Sequence, residues 1–520
     1  AKYVTAYPIA RYLKQSDVPV KPDGLSSWSV LGGMVYSKIR SRFVSTNSKS
    51  SKFFFGLLQG VKRGCYIVDN DFLLEAKKKH MKVLTKPTSM VDPDFLEKDF
   101  VILTRKIMSR SKISPNEILK ITEPSKSAVL HTSRREGGQE SDVREFLDIP
   151  VTVPDVFMRR SDWLEDMAFY DNLYSMVETN EGVKEMRGHI VTSSEKRELI
   201  KSTALRSTPL NCRIVALSEP LKVRIISAGD PLPYYVSKPF QVNVWSYLRQ
   251  FRQFKLIGEP LETHHLSSML DLESELSKHI SQLNDDKWNS KAIRPYRLPP
   301  NELFNSGDYS AATDNLKIEY TLAAFDVIFD QMLNFAHNTH NGDFALVSDY
   351  LVTMRKLLEE HNLWYEDNNG ELEKYAISQG IEYSTQMFED KKFLITRQHN
   401  GQLMGSPISF PFLCLINFVC FWHSLNIYCK TLIPFRKVPV LINGDDILFR
   451  TNEQHFVIWK KIITEVGFTL SLGKNYTHKT LLTINSQLFE FTGGPTGWEE
   501  FHEISYFNIG LLISQSKGRL

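Results

Sequence analysis

The chain reads as an α+β protein, and three stretches carry that reading. Residues 211–228 alternate apolar and polar side chains as paired strands do, and Ile318 to Phe335 carries apolar residues at helical spacing. Val438 to Phe449 is apolar on both sides of Gly444-Asp445-Asp446, which predicts a tight β-hairpin with two carboxylates at its tip. At 520 residues, with 42% hydrophobic and 24% charged residues, the chain is long enough for several subdomains and a sizeable core.

Charge is unevenly spread. Residues 1–90 hold 16 Lys/Arg against 5 Asp/Glu, a local +11, whereas the rest of the chain holds 47 against 55, a net of −8. A basic N-terminal part on an acidic chain predicts a polyanionic partner, nucleic acid ahead of membrane. The plainer alternative is a solvated lysine-rich face around Lys77-Lys78-Lys79. The five cysteines are odd in number and form no CxxC pair, which argues against a disulfide framework or zinc ribbon and for a reducing compartment. The start, AKYVTAYPIARYLKQ, lacks the continuous apolar segment of a secretory signal; being Arg/Lys-rich and acid-poor, it leaves a mitochondrial transit segment as a second reading. Phe410 to Trp422, interrupted by Pro411 and Asn417, is about 13 residues, short of the roughly 20 that a membrane span needs, so a buried helix is expected and no span.

Taken along the chain, Ser133–Ser141 reads as a linker or mobile loop, and 158–200 and 259–290 as mainly helical. Residues 211–228 form paired strands, and 340–400 an insertion of short helices and mixed loops. The C-terminal half is then a strand, two helices and a hairpin.

Four segments carry chemistry. Gly-Asp-Asp alone arises by chance in roughly one chain in ten of this length. It gains weight from Asn305 to Leu316, where a short apolar run leads into Asp308: an aspartate at a strand end facing the tip completes a site for magnesium, which takes hard oxygen ligands and relieves the repulsion of clustered carboxylates. Asp314 lies six residues on, at an expected helix start, where capping is the alternative role. Gly401 to Pro411 is a Gly- and Ser-rich loop, with Gly405 and Ser406 at its centre, that lets backbone approach a nucleotide or template closely. Ser409 and Asn417 follow, eight apart, on similar faces about two turns apart if helical, and Asn417 needs a hydrogen-bonding partner from core or substrate. In Pro220 to Ile226, strand periodicity puts Lys222 and Arg224 on one face, suited to a triphosphate or simply to water.

The order cations, Asp308, glycine loop, Asp445-Asp446 resembles that of the motifs of viral RNA-dependent RNA polymerases, the narnavirus, ourmiavirus and levivirus-like group in particular. GDYSAATDNL, GQLMGSPISFP with a downstream Asn, and NGDD look like the ourmia-like and botourmia-like branch, and the likeness covers about 201–489. The resemblance implies a right-hand fold: fingers over 141–297, a palm over 298–490 with an insertion at 340–400, a short or truncated thumb over 491–520, and a basic region over 1–140 that extends the fingers. It implies that Asp308 and Asp445, with Asp446 beside them, hold two magnesium ions, manganese being a possible substitute. Asp314, Ser409 and Asn417 would read the ribose 2′-hydroxyl, and Lys222 and Arg224 would face the triphosphate. Lys474, in Leu472-Gly473-Lys474-Asn475-Tyr476, would protonate pyrophosphate, and Ile484 to Phe489 would form a hairpin bordering the primer. The implied partners are an RNA template, nascent RNA and rNTPs, with a primer-independent start, host factors unspecified, and the host cytoplasm as compartment ahead of the mitochondrion. One departure is that many such polymerases place the Asn four residues after the Ser/Thr, which is Leu413 here. Reverse transcription is the enzymatic alternative and a non-catalytic RNA-binding or packaging protein the other.

Overall fold

The computed structural model describes residues 68–109, 124–146, 209–219, 222–288, 295–339, 344–359, 361–471, 475–493 and 499–505, with isolated residues elsewhere. Helices α1 (Asn70–Leu84), α2 (Val101–Met108) and α3 (Gln139–Phe146) precede the hairpin β1 (Asn211–Glu219) and β2 (Lys222–Gly229). Then come α4 (Pro231–Leu248), α5 (Thr263–Trp288), β3 (Leu303–Gly307), α6 (Ile318–Thr339) and α7 (Phe344–Lys356). Next are β4 (Asn362–Glu366), α8 (Glu371–Gln379), β5 (Ser384–Phe388), β6 (Lys391–Arg397) and α9 (Ser409–Cys429). The chain continues through β7 (Val440–Asn443), β8 (Asp446–Thr451), α10 (Glu453–Val466), β9 (Tyr476–His478), β10 (Leu481–Ile484), β11 (Gln487–Gly493) and β12 (Glu499–Glu503). The α+β expectation holds.

The antiparallel sheet β7-β8-β3-β9 is covered on both faces. Val440, Ile442, Ile447 and Phe449 enter the main core with α9 and α10, while Leu441, Leu448 and Phe304 meet Leu482, Ile484, Phe489 and Phe501 on the other side. Double burial is why the residues around Gly-Asp-Asp are continuously apolar rather than alternating, as side chains on either face must both leave water.

Helix α9 sits at the centre of the helical layer, packed on α6, α10 and β7. It runs 21 residues, beyond the 13 or so expected, because the polar residues after Trp422 find partners: Ser424 Oγ donates to the Phe421 carbonyl at 2.7 Å, and Asn426 Oδ1 accepts from Ile433 N–H at 2.9 Å. By length and composition the helix could cross a membrane, but 78% of its most apolar stretch is buried in the protein, as in an all-round apolar core helix. The four described cysteines (Cys212, Cys414, Cys420 and Cys429) are free and buried.

The 340–400 segment has the expected short helices, α7 and α8, but differs in its loops. Instead of loops it supplies three strands to a five-stranded sheet ordered β2-β1-β4-β6-β5, with β4 parallel to β1. Leu363, Tyr365 and Leu394 bury there against Cys212, Ile214, Met81 and Leu84. Charged ends, Lys391, Lys392 and Glu366, interrupt the apolar pattern by which such short strands show in a sequence. The expected helix over 259–290 is α5, and the one over 158–200 lies outside the described residues apart from Ile200.

Helix α1 carries the Lys77-Lys78-Lys79 triplet onto this sheet. Lys77 Nζ donates to the Glu366 carbonyl at 3.1 Å, and burial lowers its pKa; Lys78 pairs with Glu75 at 3.0 Å and lies over the Tyr375 ring. Two of the three cations thus hold the helix in place, and Lys79 is the exposed one.

Two buried imidazoles tie stability to pH. His455 lies between Ser424 Oγ and Thr451 Oγ1, both at 3.1 Å, and burial pushes its pKa down to about 3; His361, bonded to Gln398 Oε1 at 2.8 Å, is pushed down to about 4. The unfolded chain protonates both near 6.5, so it binds more protons than the folded chain between that pH and the depressed values. Their stability contribution is therefore complete above pH 6.5 and falls as the pH drops toward 4. In urea titrations at a series of pH values, His455→Gln should be less stable than the parent at pH 7. Its slope of stability against pH below 6 should be shallower by about 1.4 kcal/mol per pH unit; equal slopes would show that His455 is not held neutral.

Candidate active site

Strand register assembles the carboxylates. β3 pairs antiparallel with β8, Gly307 opposite Ile447, so the next residue of each strand, Asp308 and Asp446, leave the sheet side by side. β7 and β8 close through Asn443 opposite Asp446, which leaves Gly444 and Asp445 as a two-residue turn. Gly444 has φ +67°, the left-handed region that such turns require of their first residue. Asp308 and Asp446 are half-buried and Asp445 is exposed.

Asp308 is fixed by Asn475 and Ser471, to which the sequence alone assigns no role. Its backbone N–H donates to Asn475 Oδ1 at 2.9 Å, while Asn475 Nδ2 donates to the Asp308 carbonyl at 3.1 Å and the Ser471 carbonyl at 2.6 Å. Ser471 Oγ donates to Asp308 Oδ1 at 2.9 Å, and Ser471 N–H to the Asp308 carbonyl at 2.9 Å. Both residues flank Lys474, which lies outside the described residues. The sequence signal was a polar pair beside that lysine, too common to stand out. On the other side, Asn443 Nδ2 donates to Asn485 Oδ1 at 2.9 Å. That joins the β10–β11 hairpin, expected at Ile484 to Phe489, to the Gly-Asp-Asp turn; its turn residues Asn485 and Ser486 both have positive φ, as a tight right-twisting hairpin needs.

The glycine loop is turned inward. Gly405 has φ +134°, and a Cβ there would stand 2.1 Å from the Ser227 carbonyl of β2; Ser227 N–H donates to the Met404 carbonyl at 2.7 Å. Ser406 is buried and its Oγ donates to the Leu357 carbonyl at 3.3 Å. The close approach expected toward a ligand is therefore made to the protein's own β2. The loop's other end meets the Asp314 turn, through Gln402 N–H donating to the Thr313 carbonyl at 2.8 Å.

Asp314 is the third residue of a single helical turn, Ala312–Asn315, and not a cap: its Oδ1 accepts from Thr313 Oγ1 at 3.1 Å, and the first N–H of α6, at Ile318, goes to Asn400 Oδ1. Asp314 lies near enough to His80 of α1 and Tyr365 of β4 for its charge to act on both, and those two are joined at 2.8 Å. Burial lowers the His80 pKa, with Asp314 opposing; burial raises that of Tyr365, with Asp314 adding.

Ser409 and Asn417 do not share a helix face. Eight residues advance a helix by about 2.2 turns, so the two side chains diverge by roughly 80°. Ser409 Oγ is buried with no hydrogen-bond partner among the described residues, so it can take one from a ligand. Asn417 is fully buried and engaged at both ends of its amide: Oδ1 accepts from the Tyr309 hydroxyl at 2.9 Å and Nδ2 donates to the Gly444 carbonyl at 3.1 Å. Both ends of the amide expected at the ribose are therefore engaged within the core in this structure.

Lys222 and Arg224 project from the exposed face of β2 as expected, Arg224 pairing with Glu219 at 3.1 Å. At about 3.3 Å per residue they lie roughly 17 and 10 Å beyond Ser227, along the strand that the glycine loop touches. The loop links them to the carboxylates only indirectly.

Among the described residues no three His, Cys, Asp or Glu side chains form a ready-made metal group. The donor set of Asp308, Asp445 and Asp446 nonetheless suits magnesium, which is held by one or two carboxylates and completes its octahedron with water and substrate phosphates rather than an all-protein cage.

Gly405→Ala should destabilise the fold by about 2 kcal/mol or more in urea titration, since it meets both backbone strain and the Ser227 carbonyl. Gly370→Ala, at φ +68° with open space around it, should lose only about 1 kcal/mol. Equal losses would mean that the loop yields and does not bear on β2.

No family model matches the chain. It is 30% identical over 292 residues to the RNA-dependent RNA polymerase of Ourmia melon virus (isolate Melon/Iran/VE9). The match covers 56% of this chain and 29% of that protein, so the chain spans under a third of the length of the viral polymerase it is similar to.

Proposed function

We propose that this chain is a template-directed RNA polymerase that copies viral RNA from ribonucleoside triphosphates. The carrying observation is the β3–β8 register, which sets Asp308 beside Asp446 and next to the turn bearing Asp445. The likeness to the Ourmia melon virus polymerase supports the same reading. In it the doubly covered sheet is the palm of a right hand, the Lys222 sheet belongs to the fingers, and the basic N-terminal part meets RNA.

The reaction joins the 3′-oxygen of the growing strand to the α-phosphorus of an rNTP and breaks the bond to pyrophosphate, the 3′-hydroxyl proton passing to solvent. Asp308 and Asp445, with Asp446 adjacent, are the groups to hold two magnesium ions, which when bound would promote loss of that proton and offset charge on the pyrophosphate. Ser471 and Asn475 keep Asp308 from swinging away. Asp314 and Ser409, whose hydroxyl has no partner among the described residues, are the groups we assign to the ribose, and Lys222 and Arg224 draw the triphosphate in. The site belongs in the host cytoplasm, with a start that needs no primer.

In a magnesium-dependent incorporation assay on an RNA template, Asp308→Ala and Asp445→Ala should each lower rNTP incorporation at least about 100-fold. Lys222→Ala should raise the KM for rNTP about 10-fold with kcat little changed. Equal incorporation by the parent and both aspartate variants would overturn the reading, and preference for dNTPs would redirect it to reverse transcription.

A further inference from the structure

Helix α9 presents Phe410, Cys414 and Asn417 on one face, at i, i+4 and i+7, and all three meet Gly444. The Gly444 N–H donates to Cys414 Sγ at 3.2 Å, and the Gly444 carbonyl accepts from Asn417 Nδ2 at 3.1 Å. The Phe410 ring closes over its α-carbon, so that a Cβ there would come to 2.8 Å of the ring. Both backbone polar groups of the residue preceding Asp445 are therefore held by a single helix. The other end of the Asn417 amide takes the hydroxyl of Tyr309, the residue after Asp308.

The chemistry fixes the direction of each bond. A phenol is protonated at neutral pH, so the Tyr309 hydroxyl donates to the Asn417 oxygen 2.9 Å away. Asn417 Oδ1 must then face Tyr309, and Nδ2 must face Gly444. Burial, with Asp445 adding, pushes the Cys414 thiol up to about 12, so it remains a neutral acceptor. Tyr309 is itself braced, stacked on Phe468 with ring centroids 4.5 Å apart and 9° between planes.

We propose that Asn417 is a positioning residue: with Tyr309 and Cys414 it clasps the Asp308 segment to the Gly444-Asp445 turn and so sets the spacing of the carboxylates. The role rests on the polymerase reading for its catalytic consequence, but the clasp is a physical claim that can be tested without it. A shift of the order of 1 Å between groups acting on one reaction centre costs about 100-fold in rate, so a loosened clasp acts on kcat.

Tyr309→Phe removes one oxygen from a packed ring, and Asn417→Leu removes both the donor to Gly444 and the acceptor for Tyr309 at nearly constant volume. Each should lower kcat about 10- to 100-fold while the KM for rNTP and the rNTP-over-dNTP preference stay within about twofold of the parent. The double variant should be little worse than the weaker single one, since both break the same chain of bonds. Independently of catalysis, hydrogen exchange of the 440–448 segment should quicken about 10-fold in both variants, with the exchange of β4 and β6 unchanged. Loss of ribose preference in Asn417→Leu with kcat retained would overturn the proposal in favour of a sugar contact, as would unaltered exchange at 440–448. If the parent incorporates no rNTP, the polymerase reading fails, and the exchange measurement still decides the clasp.

Discussion

The antiparallel pairing of β3 with β8 is the constraint on which the site depends. Gly307 opposite Ile447 makes Asp308 and Asp446 neighbours, although 138 residues separate them in the chain. A slip of one residue in that register would turn Phe304 and Leu448 out of one core and Ile447 and Phe449 out of the other. With both faces of the sheet buried, any slip costs several large apolar contacts at once, so hydrophobic burial far from the carboxylates holds them in place.

Around that register the protein uses short polar ties. Ser471 and Asn475 hold Asp308 from one side, Asn485 holds Asn443 from the other, and α9 grips Gly444 from beneath. Each tie satisfies a backbone or side-chain group that the sheet edge leaves unpaired, so the same hydrogen bonds stabilise the fold and aim the carboxylates. Helix α9 can do this because it is central: its length is anchored in the core, so the few polar atoms it carries are fixed in direction.

Helix α1 is more closely joined to the site than the charge of its lysine triplet suggested. Helix α1 reaches the Asp314 turn through His80 and the glycine loop through the Leu84 carbonyl, which accepts from His399 and Asn400 N–H at 2.7 and 3.1 Å. Lys77 and Lys78 bind this helix to β4 and α8 rather than forming an open cationic stripe. Positive charge on a helix can hold a junction as readily as it can meet a polyanion, and composition does not separate the two.

The order of the residues carried much of this. Apolar periodicity announced β1, β2, α6 and the β7–β8 hairpin, and the Gly-Asp-Asp tip together with an aspartate at a strand end marked the carboxylates, since such signals are local and depend on near neighbours. What could not be read were relations between distant segments. That Gly405 packs on Ser227, that 340–400 completes the β1–β2 sheet, and that Asn417 bonds Tyr309 and Gly444 all depend on which surfaces meet. A buried asparagine in an apolar helix declares from the sequence that it needs a partner; only the packing of α9 under the turn says that the partner is the protein itself, because hydrogen bonds in a dry core go to whatever group lies within about 3 Å.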